Sequence, residues 1–356
     1  MSAFGTKRTL GTPFQRSGAD WYDALSLASG AAMRRRDFIS LFGIAVAAWP
    51  PAAHAQQQLR KKIGILYPGL PSSLSSRVAA FRDGLQAAGY REPDIELVLQ
   101  ATGGDPMRTM PLAKELAERQ VDVIVAISPA AVHAAQSASA TIPIVALDLE
   151  SDPVASGLIT SLSRPGGQVT GIFFDFPEFS KKWLELLKEA MPQLTKIAVL
   201  WDPATGPMQM NGVKSAGRAF NVNLEILEVR GLANLDDSIL AASRMGVDAI
   251  LMLSSPVFGT NPERLAGLTL GLRLPAVTLF PDFARAGGFM AYGVNPVNIF
   301  RQGASLVAKV LNGTKPSELP AELPTKFELV INLKTAKSLG IVLPASILAR
   351  ADELIE

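Results

Sequence analysis

The side chains best suited to recognise a small molecule lie at the ends of six short apolar runs, where each run meets a turn. In chain order, the six ends are Tyr67-Pro68-Gly69, Ser128-Pro129-Ala130, Asp148-Leu149-Glu150, Trp201-Asp202-Pro203, Ser254-Ser255-Pro256 and Phe280-Pro281-Asp282. Aromatic faces can stack on a ligand, and serine hydroxyls beside free backbone N–H groups suit a carboxylate. Aspartates in the same set could pair with an ammonium group. This combination favours a small polar or amphipathic ligand.

Ten positions are candidates for contact with that ligand. They are Tyr67, Pro68, Ser128, Pro129, Asp148, Asp175, Trp201, Ser254, Ser255 and Phe280. Some of these residues have a structural alternative. Ser128-Pro129 also fits a helix N-cap followed by proline at the first helical position. Trp201 and Phe280 could be core residues, and Asp148 could close a turn.

Catalytic and metal-binding chemistry is poorly represented in the sequence. The chain of 356 residues has no cysteine and two histidines, His54 and His133. It therefore lacks disulfides, thiol nucleophiles and cysteine-ligated metals. The nucleophile elbow, the phosphate loop and the dinucleotide fingerprint are also missing. We expect a binding protein without cofactor or metal, and not an enzyme. The competing hypothesis is a secreted enzyme that acts on a small acid or amide in the same place.

The runs that position these candidates form an internal repeat. Three pairs of segments match, at offsets of 134, 126 and 132 residues: Lys61–Pro68 with Thr195–Pro203, Val121–Pro129 with Val247–Pro256, and Thr141–Leu147 with Arg273–Leu279. The runs are rich in Val and Ile, as in strands buried on both faces. Helical patterns separate them, so we predict an α/β fold of two Rossmann-like lobes with parallel sheets. Asp122 and Asp248, each just before a run, are predicted to fix the entry of a strand.

The two predicted lobes share the chain in alternation. We assign residues 61–170 plus about 293–320 to the N-terminal lobe and residues 171–287 plus about 325–356 to the C-terminal lobe. Several hinge crossovers follow from this division, and we expect them near Gly171–Phe174, Gly288–Tyr292 and Phe327–Ile331. In open parallel sheets, ligands bind outside the carboxyl ends of the strands. Two facing lobes therefore predict an interlobe cleft lined by the six candidate loops.

An export signal precedes the lobes. Arg34-Arg35-Arg36 is followed by an uncharged run that ends at Trp49 and then by Ala53-His54-Ala55. This is the order of a secretory signal peptide, and we assign residues 33–55 to it, with cleavage after Ala55. The apolar run is shorter than the roughly 20 residues of a membrane span, although an uncleaved anchor is the alternative. Residues 1–32 are interpreted as a disordered extension or an over-extended gene start.

The leader also bears on the route of export and on the net charge of the mature chain. Arg35-Arg36 before Phe38-Ile39 is similar to the twin-arginine consensus, although the Sec route also uses basic leaders. Removal of residues 1–55 takes away six of the 34 basic and three of the 32 acidic residues, which leaves 28 against 29. This balance gives no bias toward nucleic acid. Without a cysteine for lipidation, we expect a freely diffusing periplasmic monomer.

Five segments and the leader resemble a known family. The segments are Val121–Val125, Ile142–Val145, Asp152–Leu158, Arg164–Gly171 and Pro324–Ala336. From Lys61 to Glu356 the chain resembles substrate-binding proteins of ABC transporters, in the tryptophan-binding-type subfamily. This resemblance implies the type 1 periplasmic-binding-protein architecture.

The resemblance also implies a function. It indicates a periplasmic receptor that closes on a small organic ligand and delivers it to an ABC permease in the inner membrane. Members with known ligands bind aromatic amino acids, so an aromatic amino acid or a related acid or amide is expected. Some members carry an Asp-Asn type pair where this chain has Ser254-Ser255, which leaves recognition of an ammonium group open. A receptor that serves a membrane sensor is the alternative.

Overall fold

The computed structural model describes residues 60–174 and 176–356. The predicted extension, the predicted signal segment and Asp175 lie outside these residues. None of the described helices combines the length and hydropathy of a membrane span. The apolar runs of the sequence become the strands of two separate sheets.

The first sheet has five strands, all parallel, in the order β2-β1-β3-β4-β5. The strands are β1 Lys61–Tyr67, β2 Ile95–Ala101, β3 Val123–Ile127, β4 Ile144–Asp148 and β5 Val169–Phe173. Three helices connect them: α1 Ser75–Ala87, α2 Thr109–Glu118 and α3 Pro129–Ala138. Every residue of β4 and β5 is buried, as expected for strands covered on both faces.

The second sheet has seven strands in the order β12-β11-β10-β9-β8-β6-β7. The strands are β6 Lys196–Trp201, β7 Asn223–Glu228, β8 Ala249–Met252, β9 Ala276–Thr278, β10 Met290–Val294, β11 Phe327–Asn332 and β12 Glu353–Ile355. Only the β10–β11 pair is antiparallel among the described strands. The remaining helices are α4 Phe176–Ala190, α5 Met208–Phe220, α6 Leu235–Arg244, α7 Pro256–Gly259, α8 Pro262–Gly271, α9 Pro281–Arg285, α10 Pro296–Leu311, α11 Leu333–Leu339 and α12 Ala345–Leu348.

The internal repeat of the sequence is a repeat of topology. The order β2-β1-β3-β4-β5 in the first sheet corresponds to β7-β6-β8-β9-β10 in the second. The fifth strand of each set carries a glycine, Gly171 or Gly293, pressed against the backbone of the preceding strand or its end. An added Cβ would lie 2.1 Å from the carbonyl oxygen of Ala146 or Leu279, respectively. The predicted fold class, two Rossmann-like lobes with parallel sheets, is confirmed.

The strands revise two features of the predicted lobe division. Because β5 pairs with β4, the first lobe extends through Phe173, and the predicted boundary after residue 170 falls inside a strand. Strands β10 and β11 form a five-residue antiparallel ladder in the second sheet. The crossings predicted at Gly288–Tyr292 and Phe327–Ile331 are therefore wrong, because those segments are continuous strands. The chain crosses after Phe173, at Asn295 and between Glu322 and Phe327.

The last part of the chain, from Pro296 onward, packs against elements of both lobes. Helix α10 packs against α1, where the rings of Phe81 and Phe300 meet edge to face with centroids 6.5 Å apart. The approach is close, since a Cβ on Gly84 would lie 2.7 Å from the Ala304 Cβ. Strands β11 and β12 then complete the second sheet. The lobes are thus joined by three chain segments, which limits the movements open to them.

The two aspartates that precede β3 and β8 fix strand entry, as predicted. Asp122 accepts a hydrogen bond from the Lys62 backbone N–H at 2.8 Å, and Asp248 accepts one from Lys196 N–H at 2.9 Å. Asp248 also accepts from the Thr195 N–H at 2.7 Å. Burial raises the pKa of Asp248, but these hydrogen bonds outweigh burial and hold the pKa below its usual value. Both aspartates are structural residues at the ends of the sheets opposite the predicted cleft.

Candidate functional site

Two of the cavities between the lobes lie at the carboxyl ends of the strands. The larger has a volume of about 120 Å³ and the smaller about 50 Å³, and Pro68, Pro256 and Thr260 line both. Loops from both sheets form the walls of each cavity. The predicted interlobe cleft is therefore present, and its small volume suits a small molecule rather than a polymer.

The walls of the larger cavity are mostly apolar. Four prolines contribute to it, together with Ala130, Ala204, Leu232 and Val257. Hydroxyl, amide and carboxyl groups are interspersed among them: Thr102, Thr109, Ser128, Asp202, Thr205, Thr260 and Asn261. An apolar lining with a few placed polar groups is the usual composition of a site for an amphipathic ligand.

Ser128 is both a helix cap and a wall residue of the larger cavity. Its Oγ accepts a hydrogen bond from the Ala131 N–H at 3.4 Å, and Pro129 follows at the first position of α3. Ser128-Pro129 is thus a helix N-cap followed by proline, as the structural alternative predicts. Ser128 also lines the larger cavity. Ser128 has φ 89° and ψ 156°, a region that is essentially restricted to glycine. Backbone strain of this kind is concentrated at functional sites.

Asp202 brings a carboxylate to the larger cavity. Its Oδ2 accepts a hydrogen bond from Ser255 Oγ at 2.7 Å, and its Oδ1 accepts one from the Ala204 N–H at 3.0 Å. Ser255 is fully buried and also caps α7, accepting from the Val257 N–H at 3.1 Å. Both oxygens of Asp202 therefore have a partner within the second lobe, which fixes the direction of its carboxylate.

The smaller cavity is bounded by three aromatic residues, Tyr67, Phe280 and Phe300, and by Arg77. Tyr67 is buried, and its hydroxyl accepts a hydrogen bond from Arg77 Nη1 at 2.8 Å and lies 3.0 Å from Ser73 Oγ. Arg77 also forms an ion pair with Asp282 of the second lobe at 3.6 Å. Phe280 faces this cavity from the second lobe, packed against Gly259. The ion pair of Arg77 and Asp282 thus joins the two lobes beside the smaller cavity.

A buried seam joins the lobes behind the cavities. Gln209, at the start of α5 in the second lobe, donates through Nε2 to the Glu150 carbonyl oxygen at 3.1 Å and to the Ser254 carbonyl oxygen at 2.9 Å. Its Oε1 accepts from the Ser254 N–H at 2.7 Å. Ser254 Oγ in turn donates to Glu150 Oε1 at 3.4 Å. Gln209 and Ser254 are fully buried, so these contacts are shielded from water.

The first lobe brings two adjacent carboxyl groups to this seam. Asp148 is fully buried and accepts hydrogen bonds from the backbone N–H groups of Glu150 at 2.9 Å and Ser151 at 3.0 Å, and from the Ser151 hydroxyl. Burial raises the pKa of Asp148, and these hydrogen bonds oppose the rise. Burial and then the charge of Asp148 raise the pKa of Glu150 well above its usual value. Glu150 Oε2 has no hydrogen-bond partner in the structure.

Nine of the ten predicted contact residues lie within the described residues, and the structure divides them into two groups. Tyr67, Pro68, Ser128, Pro129 and Phe280 line a cavity. Asp148, Ser254 and Ser255 lie behind the walls and use their polar atoms for contacts within the protein. Trp201 lines neither cavity, and its indole N–H donates to the Gly206 carbonyl at 3.2 Å. Asp175 lies outside the described residues.

Sequence reasoning missed four residues that shape the site: Arg77, Glu150, Gln209 and Thr260. Glu150 had a signal, because it stands in the loop that follows β4. The other three stand within or beside helices and follow no strand end. Among the described residues, no group of three or more histidine or acidic side chains could hold a metal ion.

Comparison with known proteins agrees with this architecture. The chain is similar to a tyrosine-binding protein of Clostridioides difficile (strain R20291), with 25% identity over 285 residues, 79% of this chain and 81% of that protein. An ABC domain from Streptococcus pneumonia in complex with L-Trp superimposes with a TM-score of 0.77 at 23% identity, covering 83% of this chain and all of the other. A conserved domain protein from Vibrio cholerae gives a TM-score of 0.77 at 26% identity, covering 83% and 99%.

The family itself follows from a match along nearly all of the described chain. The model of the ABC transporter substrate binding protein family matches residues 62–355, which include both sheets and all three crossings between them. This chain therefore belongs to the ABC transporter substrate binding protein family.

Proposed function

We propose that this protein is the periplasmic receptor of an ABC importer, which captures a small organic ligand by closure of its lobes and delivers it to a membrane permease. One observation carries the proposal: both cavities are lined by loops from the two lobes, so a ligand bound there contacts both. Such a ligand binds the closed form more tightly than the open form. It therefore shifts the protein toward the closed form by that difference in affinity.

The ligand is an aromatic amino acid or a related acid or amide. The proline-rich walls of the larger cavity suit a planar apolar group. Ser128 and the N-terminus of α3 supply a hydroxyl and backbone N–H groups for a carboxylate. The names of two relatives, a tyrosine-binding protein and an L-Trp complex, support the same chemical class. We assign the ligand contacts to Tyr67, Pro68, Ser128, Pro129 and Phe280.

Closure takes place by rotation of the lobes about the three chain crossings. Each sheet and its helices form a packed layer that moves as a rigid body, while the crossings after Phe173, at Asn295 and before Phe327 change their backbone angles. In the closed form, Gln209 bonds to the Glu150 carbonyl and Arg77 pairs with Asp282. The surface that the closed form presents to the permease then differs from that of the open form. This difference allows the permease to distinguish loaded from empty receptor.

The cellular setting follows from the leader. We propose export by residues 33–55, cleavage after Ala55 and a mature protein that diffuses freely in the periplasm as a monomer. The absence of cysteine supports the lack of a lipid anchor. The mature receptor uses no cofactor and acts on no nucleic acid.

A thermal-shift screen of the chain beginning at Gln56 tests the proposal. The compounds are the amino acids, their deaminated acids and their amides, together with sugars and nucleosides as unrelated classes. A ligand present at a hundred times its dissociation constant raises the unfolding free energy by about 2.7 kcal/mol, which is readily measured. We expect stabilisation by aromatic members of the first three classes. Stabilisation by a sugar alone would reject the ligand class, and the absence of any stabilising compound would count against a receptor.

A further inference from the structure

Glu150 is an unusual residue for a ligand cavity, because it is a buried carboxyl group with an unpartnered oxygen. It is 6% exposed and lines the smaller cavity, its Oε1 accepts a hydrogen bond from Ser254 Oγ at 3.4 Å, and its carboxyl group also interacts with that of Asp148. Its Oε2 has no hydrogen-bond partner within the part of the chain that the structure describes. Buried polar groups are nearly always satisfied, and an exception is a reason to look for a missing partner. The other cavity carboxylate, Asp202, has a donor on each oxygen.

The surroundings of Glu150 favour a cationic partner over a neutral one. Asp148 stands two residues away, and its negative charge acts on the Glu150 carboxyl. Arg77 and Tyr67 line the same cavity, but Arg77 is engaged by the Tyr67 hydroxyl and by Asp282. The groups that face Glu150 from the second lobe, Ser254 and Gln209, are uncharged. Among the described residues, no ion pair therefore joins a cation to Asp148 or Glu150.

Resting on the proposed function, we infer that Glu150 selects ligands with a cationic N–H donor, and that binding of this donor displaces one proton from the Asp148–Glu150 pair into the solvent. Without ligand, the two buried carboxyl groups hold one proton between them, because burial and the charge of Asp148 both disfavour ionisation of Glu150. An ammonium group that enters the smaller cavity supplies the positive charge instead. The proton then leaves, and Glu150 Oε2 accepts the N–H of the ligand.

This coupling has a defined dependence on pH. Burial and the charge of Asp148 raise the pKa of Glu150, so the ligand-free pair is protonated below the raised value and ionised above it. Below that value, an ammonium ligand must displace the proton, and its apparent affinity rises by up to tenfold for each unit of pH. Above it, affinity becomes independent of pH. A ligand without an ammonium group displaces no proton at any pH.

Calorimetry with two matched probes tests the inference. L-Tryptophan and indole-3-propionate differ by the ammonium group, and each is titrated into the chain beginning at Gln56 between pH 6 and 8, where the carboxylate of both probes is ionised. Buffers with different ionisation enthalpies report the number of protons released. We expect up to one proton released with L-tryptophan at the acid end and none with indole-3-propionate. Substitution Glu150→Gln should abolish the release and weaken L-tryptophan binding at least tenfold, while indole-3-propionate is affected less than threefold.

A control variant and a wider set of probes complete the experiment. Glu115→Gln removes an exposed carboxyl group on α2, far from the seam, and should behave as the wild type. Equal proton release by wild type and Glu150→Gln would overturn the inference. An equal loss of affinity for both probes in Glu150→Gln would also overturn it. A thermal-shift screen in which no amine binds would do the same. If compounds without an amine still bind in that screen, the receptor function stands while this inference fails.

A measurement without ligand covers the case in which Glu150→Gln alters the fold. A carboxyl group whose pKa is raised by folding stabilises the protein at low pH, and this contribution is lost as pH rises from about 4.5 through the raised value. The unfolding free energy of Glu150→Gln should therefore lack this decline. A decline equal to that of the wild type would place the proton elsewhere and would also overturn the inference.

Discussion

Gln209 Nε2 donates a hydrogen bond to the carbonyl oxygen of Glu150 at 3.1 Å, and the two residues belong to different lobes. The same side chain bonds to the N–H and carbonyl of Ser254, so it is held rigidly within its own lobe. The contact across the seam therefore needs no ordering of a mobile side chain when the lobes meet. This relationship makes Gln209 the main polar contact behind the cavities.

Substitution Gln209→Ala should weaken ligand binding more than it weakens the fold. It leaves buried backbone groups of Ser254 and Glu150 unsatisfied in the closed form, at a cost of about 1–3 kcal/mol for each group. In the open form, water can reach these groups and the cost falls. We expect ligand affinity to fall at least tenfold by calorimetry. Gln86→Ala, an exposed position on α1, is the control. Unchanged affinity in Gln209→Ala would show that the seam does not contribute to closure.

Substitution Gly69→Ala should obstruct closure sterically. A Cβ at this position would lie 2.6 Å from Thr260 Cγ2 on the opposite lobe and 2.7 Å from Tyr67 Cε1. Neither neighbour moves easily, since the Thr260 hydroxyl is bonded to the Pro256 carbonyl and the Tyr67 hydroxyl to Arg77. We expect ligand affinity to fall roughly tenfold or more, in line with the ~1–3 kcal/mol cost of overpacking.

Two further variants separate the interlobe clash from the contact with Tyr67. Combining Gly69→Ala with Thr260→Ala removes Cγ2 and should restore part of the affinity. Gly167→Ala, where an added Cβ meets no atom within 4 Å, should leave affinity unchanged. If the double variant binds as weakly as Gly69→Ala, the effect arises within the first lobe and closure is not obstructed.

Substitution Asp282→Asn should reduce affinity slightly and in a salt-dependent manner. Asp282 pairs with Arg77 across the lobes at 3.6 Å, but its side chain is 40% exposed. Exposed ion pairs contribute about 0.2–1 kcal/mol, so we expect a loss of less than about fivefold. The difference from wild type should shrink as salt screens the charges. Asp236→Asn, which breaks a pair with Arg264 within the second lobe, should not change affinity. An effect of Asp282→Asn that persists in high salt would point to a direct contact with the ligand.

Substitution Asp248→Asn should lower the stability of the second lobe and change its response to acid. Because folding lowers the pKa of Asp248, its stabilising contribution is present above about 3.8 and is lost as pH falls through the depressed value. The expected loss at neutral pH is about 0.5–1 kcal/mol, since the side chain is exposed and screened by solvent. Denaturant unfolding at several pH values measures it. The difference in unfolding free energy between wild type and variant should become smaller below pH 4. A difference that stays constant with pH would refute this role.

The fold was largely predictable because its signal is local. Buried strands such as β3 and β8 read as short Val- and Ile-rich runs, and their repetition indicated two lobes of one design. The antiparallel pair of β10 and β11 was not predictable in the same way. Its residues, such as Tyr292 and Leu329, are 37 positions apart in sequence and have no local marker of their pairing. The predicted crossings near them were therefore misplaced.

The site was predictable only in part, because its key contacts join distant residues. The position of Ser128 follows from its place after a strand and before a proline. Glu150 and Gln209 are separated by 59 residues, and Glu150 and Ser254 by 104. A sequence pattern records which residues stand at strand ends, but not which of them face each other across a cleft. Trp201 has the right position in sequence, yet its indole closes a turn within its own lobe.

The central claim is that this chain is a receptor whose lobes close on a small ligand. Small-angle X-ray scattering of the chain beginning at Gln56 tests it most directly, with and without a saturating amount of the most stabilising compound from the thermal-shift screen. Closure predicts a smaller radius of gyration with the compound, and a reduced change in Gly69→Ala. An identical radius of gyration with and without a compound that demonstrably binds would contradict the account.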